Sequence, residues 1–318
     1  MKKSLKKLLI VGGAFSAVGI IIMLIGFASI GWDPKKLDAA EYTAKTYTAP
    51  SDMNISRVEI DVASFPVVVT GGDGVALDYY EASDSVVSVT DDDGVLKITE
   101  KHTYNPFKSG VFNLRFDRKY MLTVNSGMQF DIKSRNGNIV FDGLESEEFG
   151  LNVSNADVVF KGCSVDNLDI ESSNADIEFE GCKLGDVAID VTNCHMRVTD
   201  TSGKDFTVKS TNLNARFIRS AFDNLSLDSI NLDCNVTSGE YASIVMRGTN
   251  TDVDIENVVA DRVDMSGANL DADIVISGDF AEYSVQTQGK NMPSDRVGNT
   301  DKIIKLSGTN NDVTLKFV

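Results

Sequence analysis

The sequence predicts an all-β fold: a parallel β-solenoid (β-helix) of about ten 19-residue coils, preceded by one N-terminal transmembrane helix. Three observations predict it. Asn136, Asn155, Asn174, Asn193, Asn212, Asn231, Asn250 and Asn269 stand nineteen residues apart. Apolar and polar residues alternate on both sides of each asparagine. Lys2, Lys3, Lys6 and Lys7 precede an uncharged run from Leu8 to Trp32.

Composition narrows the function before any motif is read. The 318 residues hold 47 acidic and 30 basic side chains, a net charge of −17, which argues against a nucleic-acid partner. Two histidines leave little material for zinc sites or histidine acid–base chemistry.

Residues 1–7 read as a basic cytoplasmic N-terminus and 8–32 as the membrane helix. At ~1.5 Å per residue this run can cross a ~30 Å hydrocarbon core, whereas the apolar core of a cleaved signal peptide is ~7–15 residues long. An uncleaved signal anchor is therefore expected, with Trp32 at the outer interface. The chain would sit in the cell membrane as a single-pass protein with its C-terminal domain extracellular. Beyond the anchor lie 26 basic and 47 acidic residues, a charge of −21. Residues 33–54, with Pro34 and Pro50 and no apolar period, read as a linker.

Residues 55–129 are strand-rich but aperiodic. Alternating runs occur at Val58–Val62, Val67–Val69, Val75–Tyr79, Val95–Ile98, Phe112–Phe116 and Tyr120–Val124, with Asp73-Gly74 and Asp93-Gly94 as turns. They read as opening coils and an N-terminal cap. Residues 130–318 carry the regular repeats. Apolar pairs precede each asparagine, as in Phe149/Leu151 and Leu168/Ile170, and follow it, as in Val158/Phe160 and Ile177/Phe179. Period-two alternation makes each unit a strand, a turn and a second strand. A weaker third side follows, with Cys163/Val165 and Cys182/Leu184. Such a unit cannot bury its apolar face alone, so neighbours must stack. Asparagine suits the turn, and its amide can donate and accept along the stack as a ladder. A shifted ninth unit at Tyr283, Val285 and Thr287 and a last unit from Ile304 to Phe317 complete the expected series.

This layout resembles a bacterial domain of unknown function regarded as a candidate adhesin with β-strand repeats. The matching pieces are Val58–Val62, Met121-Leu122-Thr123-Val124, and the run Phe130-Asp131-Ile132-Lys133-Ser134-Arg135-Asn136-Gly137-Asn138-Ile139. Later turns have Asn-Ala-Asp or Asn-Leu-Asp where that family has Ser-Gly-Asp. The resemblance implies an envelope protein and brings no catalytic residues.

The remaining candidates are few. Two residues after each asparagine stands Asn138, Asp157, Asp176, His195, Asn214, Asp233, Asp252 or Asp271. These read as turn residues, with a calcium site as the alternative. Cys163 and Cys182 share a column on adjacent units, ~5 Å apart between Cα atoms, inside the range of a possible disulfide. Lys101, Tyr104, Phe107, Lys108, Arg115 and Arg118 form a locally basic, aromatic segment, a possible contact patch for anionic lipid or wall polymer. No catalytic residue, metal or cofactor is expected. The expected function is a non-enzymatic surface or envelope protein, an adhesin or interaction scaffold. Its expected partners are the bacterial membrane through the N-terminal helix, and cell-wall polymer or envelope proteins, with self-association open. The alternatives are an accessory or sensor of an envelope-stress system and a carbohydrate-active enzyme.

Overall fold

The computed structural model describes the chain apart from residues 1–2, 30, 34–41, 51–52, 64, 83–84, 103–117 and 299–300. The strands of the repeating rungs follow the alternation of the sequence. In β12 (Ser164–Glu180) Leu168, Ile170, Ile177 and Phe179 point inward, while Asp169, Glu171, Asn174 and Asp176 point to solvent. β13 (Lys183–Thr199), β14 (Ser202–Ile218) and the long β15 (Ala221–Ile276) repeat the pattern.

Adjacent strands here pair in parallel at an offset of nineteen residues: Leu168 with Val187, Val187 with Phe206, Phe206 with Leu225. Equivalent residues therefore stack like upon like. Phe141, Phe160 and Phe179 form one such column, with ring centroids 4.6 and 5.1 Å apart. Phe141 also meets Phe149 edge-on at 4.7 Å, which ties the strand before the turn to the strand after it. The sheet thus wraps around one continuous apolar core. Burying each such ring is worth about 1.5–3 kcal/mol.

The all-β reading stands, but the expected parallel β-solenoid (β-helix) of about ten 19-residue coils behind a transmembrane helix is corrected on three counts. Among the described residues seventeen strands form one mixed sheet. β1 (Tyr42–Thr48) pairs antiparallel with β4 (Ala76–Ala82), and β5 (Ser85–Asp92) with β6 (Val95–His102). β4 also runs antiparallel to β7 (Tyr120–Val124). β1 lies inside the stretch that composition marked as a linker. Its Tyr42 packs edge-on against Phe65 at 6.2 Å and lies under the Arg118 guanidinium at 3.7 Å, contacts with residues distant in sequence.

The second count is the order of the rungs. β2 (Arg57–Val62) and β3 (Val67–Gly71) form a rung between two later ones. On one side lie β6 and β7; on the other lie β8 (Gln129–Ser134) and β9 (Ile139–Asp142). From there the stack continues through β10 (Glu145–Val153) and β11 (Val158–Lys161) into β12. The far end mirrors this exchange. β17 (Lys302–Phe317) pairs with β15 on one side, Asn310 opposite Asn269, and with β16 (Tyr283–Gln288) on the other. The expected ninth unit thus lies outside the first part of the expected last unit, residues 302–307. The outer edge of β16 is covered by a two-way backbone bridge between Val285 and Arg296, 2.8 Å in each direction, and by Asp295, which accepts from the Thr287 N–H at 2.7 Å.

The third count is the N-terminal helix. α1 spans Lys3–Ser29. Among the described residues no helix is long and apolar enough to cross a membrane, which corrects the expected transmembrane helix and signal anchor.

Candidate interaction groove

At each turn between the two strands of a rung, the asparagine points outward, the next residue inward and the one after it outward again. The inward residues Ala156, Ala175, Cys194, Leu213, Leu232, Thr251, Leu270 and Asn311 are all buried. Between the two outward columns runs a groove of about 1090 Å³, from Asn155 to Asp312.

One wall is the asparagine column. Asn174 Nδ2 donates to Asn155 Oδ1 at 2.9 Å, and the same bond recurs at 2.7 Å from Asn193, Asn212, Asn231, Asn250 and Asn269, each to the asparagine nineteen residues earlier. Asn310 extends the ladder by donating to Asn269 at 3.0 Å. Asn136, the first of the sequence series, is exposed at a bend below it.

The other wall changes character along its length. Asn138 donates to Asp157 at 2.8 Å and Asn214 to Asp233 at 2.7 Å. His195 is exposed in the middle of this wall. Beyond Asn214 the wall is four successive carboxylates, Asp233, Asp252, Asp271 and Asp312, with Asp254 and Asp273 on the adjoining exposed column. Asp252 is raised above the ordinary carboxylate value, first by burial and then by the charges of Asp271, Asp233, Asp254 and Asp273. Among the described residues no group of three or more His, Cys, Asp or Glu is arranged to hold a metal ion.

The other sequence candidates separate. Cys163 and Cys182 are buried free thiols rather than a disulfide. Cys163 Sγ donates to the Lys161 carbonyl at 3.3 Å and Cys182 Sγ to the Phe160 carbonyl at 3.4 Å. The contact with Cys182, reinforced by burial, pushes the Cys163 thiol up. Of the basic segment, Lys101 is exposed on β6 opposite Val86, and Arg118 lies over Tyr42. Tyr104, Phe107, Lys108 and Arg115 lie outside the described residues.

Sequence reading missed a second column at the opposite turn. Gly143, Gly162, Gly181, Asp200, Arg219, Ser238 and Asn257 all have φ between 50° and 63°, nineteen residues apart. The three glycines at that spacing were the available signal.

The fold and groove define a class: a repetitive all-β protein whose turns align identical side chains into exposed ladders. Within that class the chain belongs to the Toastrack DUF4097 family, whose model matches residues 55–221. This bears out the resemblance to a candidate adhesin domain of unknown function. No curated protein matches the chain. Three similar solved structures are a candidate cell adhesion protein from Clostridium sporogenes and candidate adhesins from Bacteroides fragilis and Parabacteroides merdae. They are 8%, 12% and 11% identical, with TM-scores of 0.22, 0.29 and 0.27. Each alignment covers 87% of this chain, and 100%, 97% and 96% of the respective structures.

Proposed function

We propose that this chain is a non-enzymatic interaction scaffold of the bacterial envelope, of adhesin type, which engages an extended and repetitive ligand along the groove. The observation that carries the reading is the amide ladder from Asn155 to Asn310. It offers the same donor and acceptor at every rung, ~4.8 Å apart. A small substrate would use one or two such positions. A polymer with a repeat of its own would use them all, and weak contacts repeated along one chain add to a useful affinity.

The test is retention of the purified chain on intact bacterial envelopes. Saturable retention, competed by excess unlabelled protein, is expected. Retention no greater than that of an unrelated acidic protein of equal size and charge would refute the scaffold reading.

A further inference from the structure

Away from the groove, the fold brings two thiols together. Cys163 and Cys182 each take the first inward position after the left-handed turn, on adjacent rungs. Ser164 pairs with Lys183, and the Lys183 N–H donates to the Cys163 carbonyl at 2.8 Å, which keeps the two cysteines in register. Their Cα atoms are therefore one strand spacing apart, ~4.8 Å, within the ~4.4–6.8 Å that a disulfide spans. The two side chains also hydrogen-bond to each other, a contact that favours the thiolate at Cys182 and the thiol at Cys163. Cys182 is held below the ordinary thiol value as a result, and Cys163 above it. Cys194 and Cys234 stand in other columns, and burial raises both.

The cover over this pair is thin. The turns in front of the thiols are made by Gly162 and Gly181, where an added Cβ would meet nothing within 4 Å. One and two rungs further on, Thr201 and Ser220 replace the thiols, and the turn residues are Asp200 and Arg219, joined through both carboxylate oxygens. The thiols thus lie behind turns that carry no side chain. Each residue is only 2% exposed, so a reagent of a few atoms fits the approach and a protein disulfide does not.

We propose that Cys163 and Cys182 are an oxidation site, a buried dithiol that a small peroxide converts into a disulfide joining two adjacent rungs. The Cys182 thiolate attacks one peroxide oxygen and the O–O bond breaks. The departing hydroxide takes up the proton that Cys182 lost, giving water, and Cys182 is left as a sulfenic acid. Cys163 Sγ then attacks Cys182 Sγ, the S–O bond breaks, and the Cys163 proton leaves with the hydroxyl as a second water. Two thiols are oxidised and one peroxide is reduced to two waters. An added dithiol reverses the bridge by exchange.

The experiment exposes the reduced full chain to hydrogen peroxide, then alkylates the remaining thiols in denaturant and maps the peptides without reduction. Cys163 and Cys182 are expected to lose their thiols together, at least about tenfold faster than Cys194 or Cys234, to yield one linked peptide, and to return with dithiothreitol. The rate is expected to level off below pH 9.0, the ordinary thiol value. Serine already occupies this column at Ser220, so single serine variants keep the fold, which circular dichroism verifies. Cys163→Ser is expected to stop at a sulfenic acid on Cys182, captured by dimedone, and Cys182→Ser to leave Cys163 reduced. Four thiols lost at one rate, a link that includes Cys194 or Cys234, or both thiols still alkylated after free glutathione in the same tube is consumed would each overturn the proposal. So would a sulfenic acid on Cys163 in Cys182→Ser, or a rate that still climbs beyond pH 9.0.

Discussion

Arg219 reaches back one rung to Asp200, Nε to Oδ1 at 2.6 Å and the terminal nitrogen to Oδ2 at 2.7 Å, from a backbone that is left-handed at both residues. The guanidinium holds the Asp200 carboxyl below its ordinary value. The pair sits where the lower rungs have glycine, so backbone conformation at this turn is the dominant local cost.

That cost can be measured. Gly181 has φ 63° and nothing within 4 Å of an added Cβ, so Gly181→Ala isolates the backbone penalty. It is expected to lose about 1–2 kcal/mol in urea unfolding. Ser238→Gly, at φ 56° in the same column, is expected to move stability the other way by up to about 1 kcal/mol. Equal effects of the same sign would show that the column is not set by the left-handed backbone.

The amide ladder predicts an asymmetry. Asn212 donates to Asn193 and accepts from Asn231. Asn212→Ala removes both bonds and is expected to cost about 1–2 kcal/mol. Asn212→Asp keeps an acceptor for Asn231 but sets a carboxylate oxygen against Asn193 Oδ1. At pH 7 it is expected to be at least as destabilising as alanine, and to recover when the carboxyl is protonated. Thermal melts at neutral and acidic pH, referenced to wild type at each, read this directly.

Inside the groove floor, size is traded between two columns. Where the inward turn residue is Thr251, the residue two before its asparagine is Gly248, and a Cβ there would lie 2.6 Å from Thr251 Oγ1 and 2.7 Å from the Ser229 carbonyl. With Ala156 at the turn, the corresponding position holds Val153. Gly248→Val is therefore expected to destabilise by about 1–3 kcal/mol through overpacking. Gly150→Ala, whose Cβ would meet only the Phe130 carbonyl at 3.7 Å, is expected to be near neutral; the urea midpoints of the two variants separate these outcomes.

Alkaline pH should unfold the stack. Burial pushes the Cys194 thiol from its ordinary 9.0 up to about 12, and raises Cys234 and Tyr241 in the same direction. A group whose folded value is raised contributes stability that is complete below its unfolded value and is lost as pH climbs through the folded one. Stability is thus expected to be flat below about pH 9 and to fall towards pH 12. Cys194→Ala, a residue that Ala156 and Ala175 already place at this turn, should flatten the decline; an unchanged slope would remove the thiol from the account.

The repeating rungs were legible because stacking like upon like leaves a trace at every nineteenth position. Phe160 and Phe179 touch because the strands that carry them pair in parallel at an offset of nineteen residues. The order of the end rungs left no such trace. Asn310 donates to a residue forty-one positions away, and the spacing that would reveal it is interrupted by the segment that covers β16. Strand β1 was hidden for a related reason: its residues alternate weakly, and their partners lie on β4 and at Arg118. The groove was half legible. Its asparagine wall was evident, while the left-handed turn opposite was obscured once Gly181 gave way to Asp200.

The exchange of rungs at both ends bears on how the protein takes mechanical load. Residues 303–307 of β17 are paired with β15 on one flank and with β16 on the other, whereas residues 310–317 are paired with β15 alone. A load that reaches the first stretch has to shear two ladders together, while the second can be peeled from one, so the interleaved rung is where mechanical resistance concentrates.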